Sequence, residues 1–113
     1  MNKILYIFIS CHSRINKYKK KIIRMMTNLY THDYIFVLGN SLKTYYDEYE
    51  QTLHLKCNDL YEGLPEKVLK TLKFCVESNK FKNFTHFIKL DDDIFVKKLL
   101  NSKYFENLNY CGV

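Results

Sequence analysis

Three short apolar runs constrain this chain more than anything else in it: residues 4–10, Tyr34-Ile35-Phe36-Val37-Leu38, and His86-Phe87-Ile88-Lys89-Leu90. Each has the length of a buried strand. Between the first two, Tyr18, Ile22, Met26 and Leu29 or Tyr30 fall at helical spacing, with lysines on much of the opposite face. Thr31-His32-Asp33 ends that helix, and Gly39-Asn40 closes the second strand. Ser41 reads as the N-cap of a short helix carrying Leu42, Tyr45, Tyr46 and Tyr49, and Thr52 to Cys57 as a third, more modest strand. After a loop at Asp59-Leu60-Tyr61-Glu62-Gly63, Pro65 suits the first turn of a helix running to about Asn79, with Leu64, Val68, Leu72 and Cys75 or Val76 inward. Residues 109–113 begin one further strand. Strands alternating with helices predict an α/β fold with a largely parallel sheet.

With 113 residues there is room for one domain, and a 47% hydrophobic fraction with ten Tyr and eight Phe is that of a globular chain. No apolar stretch reaches about 18 residues, so no membrane span is expected. The N-terminus lacks an A-x-A-like cleavage site after Ser10-Cys11-His12, which favours a first strand over a signal peptide and a cytoplasmic location by default. Nearly all of the positive charge behind the net +6 is lysine spread along the chain; Lys17, Lys19, Lys20 and Lys21 form the one dense cluster. Nucleic acid is therefore not the expected partner. Cys11, Cys57, Cys75 and Cys111 make no C-x-x-C pair, so buried, reduced thiols are expected rather than a zinc site.

The third run ends in Asp91-Asp92-Asp93, followed by Ile94-Phe95-Val96. Two unit charges about 4 Å apart repel by about 4 kcal/mol at an effective dielectric near 20. Three carboxylates at the mouth of a buried strand therefore call for a compensating cation, and hard oxygen ligands suit Mg or Mn. In a parallel sheet, ligands collect outside the carboxyl ends of the strands, where residues 10–13, Gly39-Asn40 and Asp91 to Asp93 would all lie. No G-x-G-x-x-G or G-x-x-x-x-G-K sequence follows the first strand.

Leu90-Asp91-Asp92-Asp93-Ile94-Phe95-Val96 resembles the D-D-D-V-F-V segment of the family 31 glycosyltransferases, the β-1,3-galactosyltransferase-like enzymes. Asp59-x-Tyr61-x-x-Leu64-x-x-Lys67 is similar to that family's D-S-Y-x-N-L-T-L-K stretch, Phe36-Val37-Leu38-Gly39 to its F-L-L-G, and Ile23-Arg24-x-x-Thr27 to its I-R-x-T-W, with Asn28 in place of Trp. The resemblance implies a partial GT-A (Rossmann-like) nucleotide-sugar-binding fold, a UDP-sugar donor, Mn (or Mg) as cofactor, and inverting transfer of a hexose to a sugar hydroxyl of a glycan or glycoprotein acceptor. It makes Asp93 the direct metal ligand, with Asp91 and Asp92 at the ribose or a metal-bound water and Asp91 also beside the metal. Ser10, Ser13 and Arg14 would lie near the uracil. Lys67 and Arg24 match family positions, either as donor-phosphate contacts or as scaffold ion pairs.

Family members usually carry a membrane anchor and stem and work in the Golgi lumen. Their general base and a histidine metal ligand come well downstream of the acidic segment, so the expectation here is a donor-binding portion, with a second chain as one source of its acceptor half. Other readings of the triplet are a non-catalytic nucleotide-sugar or metal module, a haloacid-dehalogenase-like D-x-D site with Asp91 and Asp93, and a solvated turn.

Overall fold

The computed structural model describes residues 3–93 and 111–112. Six strands form one sheet: β1 (Ile4–Ile9), β2 (Tyr34–Leu38), β3 (Tyr45–Asp47), β4 (Thr52–His54), β5 (His86–Asp91) and β6 (Cys111–Gly112), in the order β3-β4-β2-β1-β5-β6. All neighbours run parallel except β3 against β4. Helix α1 (Ile15–Asn28) links β1 to β2, and α2 (Leu64–Glu77) lies between β4 and β5. The expected α/β architecture with a largely parallel sheet is present. Ile94 to Val96 and Asn109-Tyr110 lie outside the described residues, while Cys111–Gly112 pairs with Ile88 and Lys89 as the further strand expected there.

The strand sequences are apolar at consecutive positions because both faces of the sheet are covered. Tyr6, Phe8, Tyr34, Phe36, Ile88 and Leu90 pack with Ile15, Ile22, Met25 and Met26 of α1. Leu5, Ile7, Ile9, Ile35, Val37, Leu53 and Leu55 pack on the other face with Cys75 of α2 and with Phe81. α1 ends at Asn28, and Tyr30, at a left-handed φ of 57°, is exposed rather than part of the buried stripe.

The helix expected from Ser41 is not formed; Tyr45–Asp47 is a strand in an antiparallel hairpin with β4. A helix would have put Leu42, Tyr45, Tyr46 and Tyr49 on one buried face, yet Leu42 and Tyr49 are 94% and 93% exposed. Strand alternation instead sends Tyr46 edge-on to Phe81 (5.1 Å between centroids) and stacks Tyr45 on His54 at 4.7 Å. Gln51, at φ 50°, turns the hairpin while its amide donates to the carbonyls of His32 and Tyr34. β4 is also shorter than expected, stopping at His54 with buried Leu55 still donating its N–H to Leu38 O.

α2 stops at Glu77 and is turned from the expected face: Lys67, Thr71 and Cys75 are its buried residues, and Val76 is exposed. Of the cysteines, Cys75 is buried and its thiol pKa is pushed up to about 12 by that burial. Cys11 and Cys57 are free but only partly covered, which corrects the expectation of uniformly buried thiols.

Gly39, at the end of β2, sits where a side chain does not fit. A Cβ there would lie 2.9 Å from Asp59 Cα and 3.0 Å from Cys57 O. Both are backbone atoms, so Gly39→Ala is expected to destabilise the domain by about 1–3 kcal/mol in urea unfolding.

Candidate functional site

β1 sits between β2 and β5, so the chain leaves it on one side for β2 and α1 and returns on the other as β5. A crevice opens outside the carboxyl ends at such a reversal of strand order. Ile9 is in register with Asp91, which makes Ser10 and Asp92 leave the sheet side by side. The Ser10 hydroxyl donates to Asp92 Oδ2 at 2.8 Å, and Arg14 Nη2, just ahead of α1, lies 2.8 Å from Asp92 Oδ1. Asp92 is buried with both carboxylate oxygens engaged. Its negative charge raises the pKa of the Arg14 guanidinium.

The three acids do not act alike, and the strand period explains why. Ile88 and Leu90 face α1, and Asp92 follows them to the Ser10 and Arg14 side. Asp91 faces the other way, half exposed, with Lys89 Nζ at 3.8 Å. Asp93 stands beyond the strand, half exposed, with Arg14 Nη2 at 3.6 Å. Ser13, also exposed, has its hydroxyl 3.2 Å from Cys11 Sγ. The structure thus brings Ser10, Arg14, Asp92 and Asp93 together, with Asp91 and Ser13 at the margins.

The chain's own Arg14 and Lys89 supply positive charge beside the triplet, a compensation the sequence reading assigned to a metal. Among the described residues no three His, Cys, Asp or Glu side chains gather as a ready-made metal cage. The donor set still fits a Mg-like or Mn-like ion, which keeps several waters and takes one or two carboxylates alongside substrate phosphates. Asp93 and Asp91, each half exposed and held only by a long ion pair to Arg14 or Lys89, are the carboxylates such an ion could take, whereas Asp92 is committed to Ser10 and Arg14.

Behind the crevice lies a polar hub whose central acid, Asp59, received no role in the sequence reading. Lys67 Nζ, on a side chain 3% exposed, donates to Asp59 Oδ1 and to Ser10 O, each at 2.8 Å. Asp59 also accepts the Gly39 N–H at Oδ1 and the His12 N–H at Oδ2, both at 2.6 Å. Asn40 Oδ1 accepts the Asp59 N–H, and the His12 ring meets Gly39 O at 2.9 Å. One carboxylate and one ammonium therefore fasten the loops after β1 and β2 to α2. Of its two expected readings, Lys67 takes the scaffold ion pair; Arg24 stands exposed on α1. The rotation of α2 follows from the same pair, since drawing Lys67 inward brings Thr71 and Cys75 with it.

Burial alone would raise the Asp59 pKa, but the hydrogen bonds from His12, Lys67 and Gly39 together hold it below its ordinary 3.8. A carboxyl with a depressed folded pKa stabilises fully above its unfolded value, and that stability is lost as pH falls through the folded one. The urea midpoint is therefore expected to drop as the pH goes below 3.8. In Asp59→Asn this component of the drop should vanish, which a midpoint series across the acid range reads directly.

Among the described residues no helix is long and apolar enough to cross a membrane. No protein-family model matches the chain, and no curated protein or solved structure matches it.

Proposed function

We propose that the crevice between β1 and β5 binds the diphosphate of a UDP-sugar, and that the chain is the donor-binding part of an inverting hexosyltransferase of the β-1,3-galactosyltransferase-like type. The observation that carries this reading is Asp92, buried and fixed by Ser10 and Arg14 at the reversal of strand order, with half-exposed Asp91 and Asp93 next to it in the chain. The sequence resemblance supplies the class of donor, and a Rossmann-like sheet order suits a nucleotide at this position.

On this reading each residue has a separate task. Ser10 spends its hydroxyl on Asp92 and so acts as a positioning residue, while exposed Ser13 and half-exposed Arg14 reach the donor. Arg14 holds Asp92 with one edge of its guanidinium and has donors left for a phosphate oxygen. Asp93 and Asp91 would hold Mn (or Mg), which when bound supplies Lewis-acid neutralisation of the leaving diphosphate. The acceptor would be a glycan or glycoprotein. Asp91 and Asp93 would be the metal's ligands, and Asp59 and Asp92 are buried in ion pairs, so no base for the acceptor hydroxyl would stand free among these crevice acids. That favours, as a second reading, a module that binds the nucleotide sugar without transferring it.

Calorimetry with UDP and Mn tests the site. Asp93→Ala is expected to abolish the Mn-dependent part of binding, and Arg14→Gln to weaken UDP about tenfold or more through loss of a charge-assisted hydrogen bond. Affinities unchanged in both variants would remove the reading. Transfer and hydrolysis assays with UDP-galactose and UDP-N-acetylglucosamine then separate enzyme from binding module.

A further inference from the structure

The outer face of α1 carries a row of positive charge that neither the sheet nor the crevice uses. Lys17, Lys20, Lys21 and Arg24 stand at i, i+3, i+4 and i+7, opposite buried Ile15, Ile22, Met25 and Met26, and all four are exposed. The helix sequence, INKYKKKIIRMMTN, contains no acid. Lys17 lies over the Tyr18 ring, and none of the four meets a carboxylate among the described residues.

Like charges three and four residues apart destabilise a helix. Nor does the row complement the helix dipole, because the last turn contains no basic residue. α2, of equal length, sets Lys70 against Glu66 instead. Within the chain the α1 row is therefore a cost, and a polyanion outside the chain is its natural complement.

We propose that this row docks α1 onto an anionic membrane surface. The row runs about 10 Å along one exposed face of the helix at 1.5 Å per residue. Three of its four charges are compact lysine ammoniums, each attracted by an anionic headgroup layer. Ile23, 37% exposed, and Tyr30, 96% exposed just past the helix end, add apolar and interfacial groups beside it. Single-stranded nucleic acid would call for several exposed rings in series among the charges; here Tyr18 is partly buried against the core beneath Lys17, and Tyr30 is a single ring beyond the helix end. With α1 lying in the plane of the membrane, the crevice at its N-terminal end opens along the surface. Docking through α1 does not depend on what the crevice binds.

Co-sedimentation of the full chain with phosphatidylserine-containing vesicles tests this, with pure phosphatidylcholine vesicles as the comparison. Half-binding is expected at about millimolar lipid, and only on the anionic vesicles. The K20Q/K21Q variant should partition about 25-fold less, roughly fivefold per charge, with its fold checked by circular dichroism. Lys73→Gln, on the exposed side of α2, should partition like the wild type. Absence of binding, equal binding to both vesicle types, or undiminished binding of K20Q/K21Q would each overturn the proposal. So would an oligonucleotide that binds the same row and strips the chain from the vesicles.

Discussion

Asp59→Ala is expected to cost about 3–5 kcal/mol of stability, a large share of the roughly 5–15 kcal/mol typical of a single domain. The substitution leaves the Lys67 ammonium buried without its counter-charge and orphans the N–H groups of His12 and Gly39. An uncompensated buried charge is far more expensive than a missing pair, which makes Lys67→Met the informative comparison. There the ammonium is gone, an apolar stem fills its space, and the Asp59 carboxylate keeps its two backbone donors. Lys67→Met should therefore lose clearly less than Asp59→Ala in urea unfolding. Equal losses, or an Asp59→Ala variant within about 1 kcal/mol of the parent, would show that the hub does not hold the two loops.

Phe8→Ala should cost a similar amount, about 3–5 kcal/mol, by a different mechanism. Phe8 lies mid-strand in β1, fully buried under α1, with its ring 6.2 Å from that of Phe36. Truncation removes apolar transfer energy and leaves a cavity that neighbours on three strands and a helix cannot collapse to fill. For a domain of this size, each kcal/mol moves the thermal midpoint by about 4–8 °C, so a fall of at least about 12 °C is expected by differential scanning calorimetry. Phe8→Leu keeps most of the volume and should lose much less; a Phe8→Ala midpoint within a few degrees of the parent would place this ring outside the cooperative core.

What the sequence made legible follows from where one interaction dominates. β1, β2 and β5 could be seen because burial on both faces writes itself as an unbroken apolar run. α1 could be seen because its inner and outer faces differ so sharply in charge. The segment from Ser41 to Tyr49 misled because Leu and Tyr three and four apart mimic a helix, and a three-residue strand is too short for alternation to show. Lys67 was left between a donor phosphate and a helix-surface or scaffold ion pair because lysine is rarely buried; only its partner, Asp59, eight residues upstream in a loop, decides between them.

The acidic triplet was legible as a cluster at the carboxyl end of a buried strand but not as three residues in different settings. The strand period already implies that Asp91 and Asp92 part to opposite faces. That Arg14 would meet Asp92 depends on β1 lying beside β5, which no local pattern states.

The register of Ile4 with His86 joins residues 82 positions apart, while the partners of β2 and β4 are much closer in the chain. Loop-closure entropy delays such distant pairings, so β1, α1, β2 and β4 are able to assemble before β5 docks. During synthesis the first half of the sheet would stand with one side of β1 unpaired, a sticky margin for other chains until residue 91 has emerged. The candidate crevice is in this sense a late seam of the fold, and the step that forms it also covers the open side of β1, leaving β6 to cap β5.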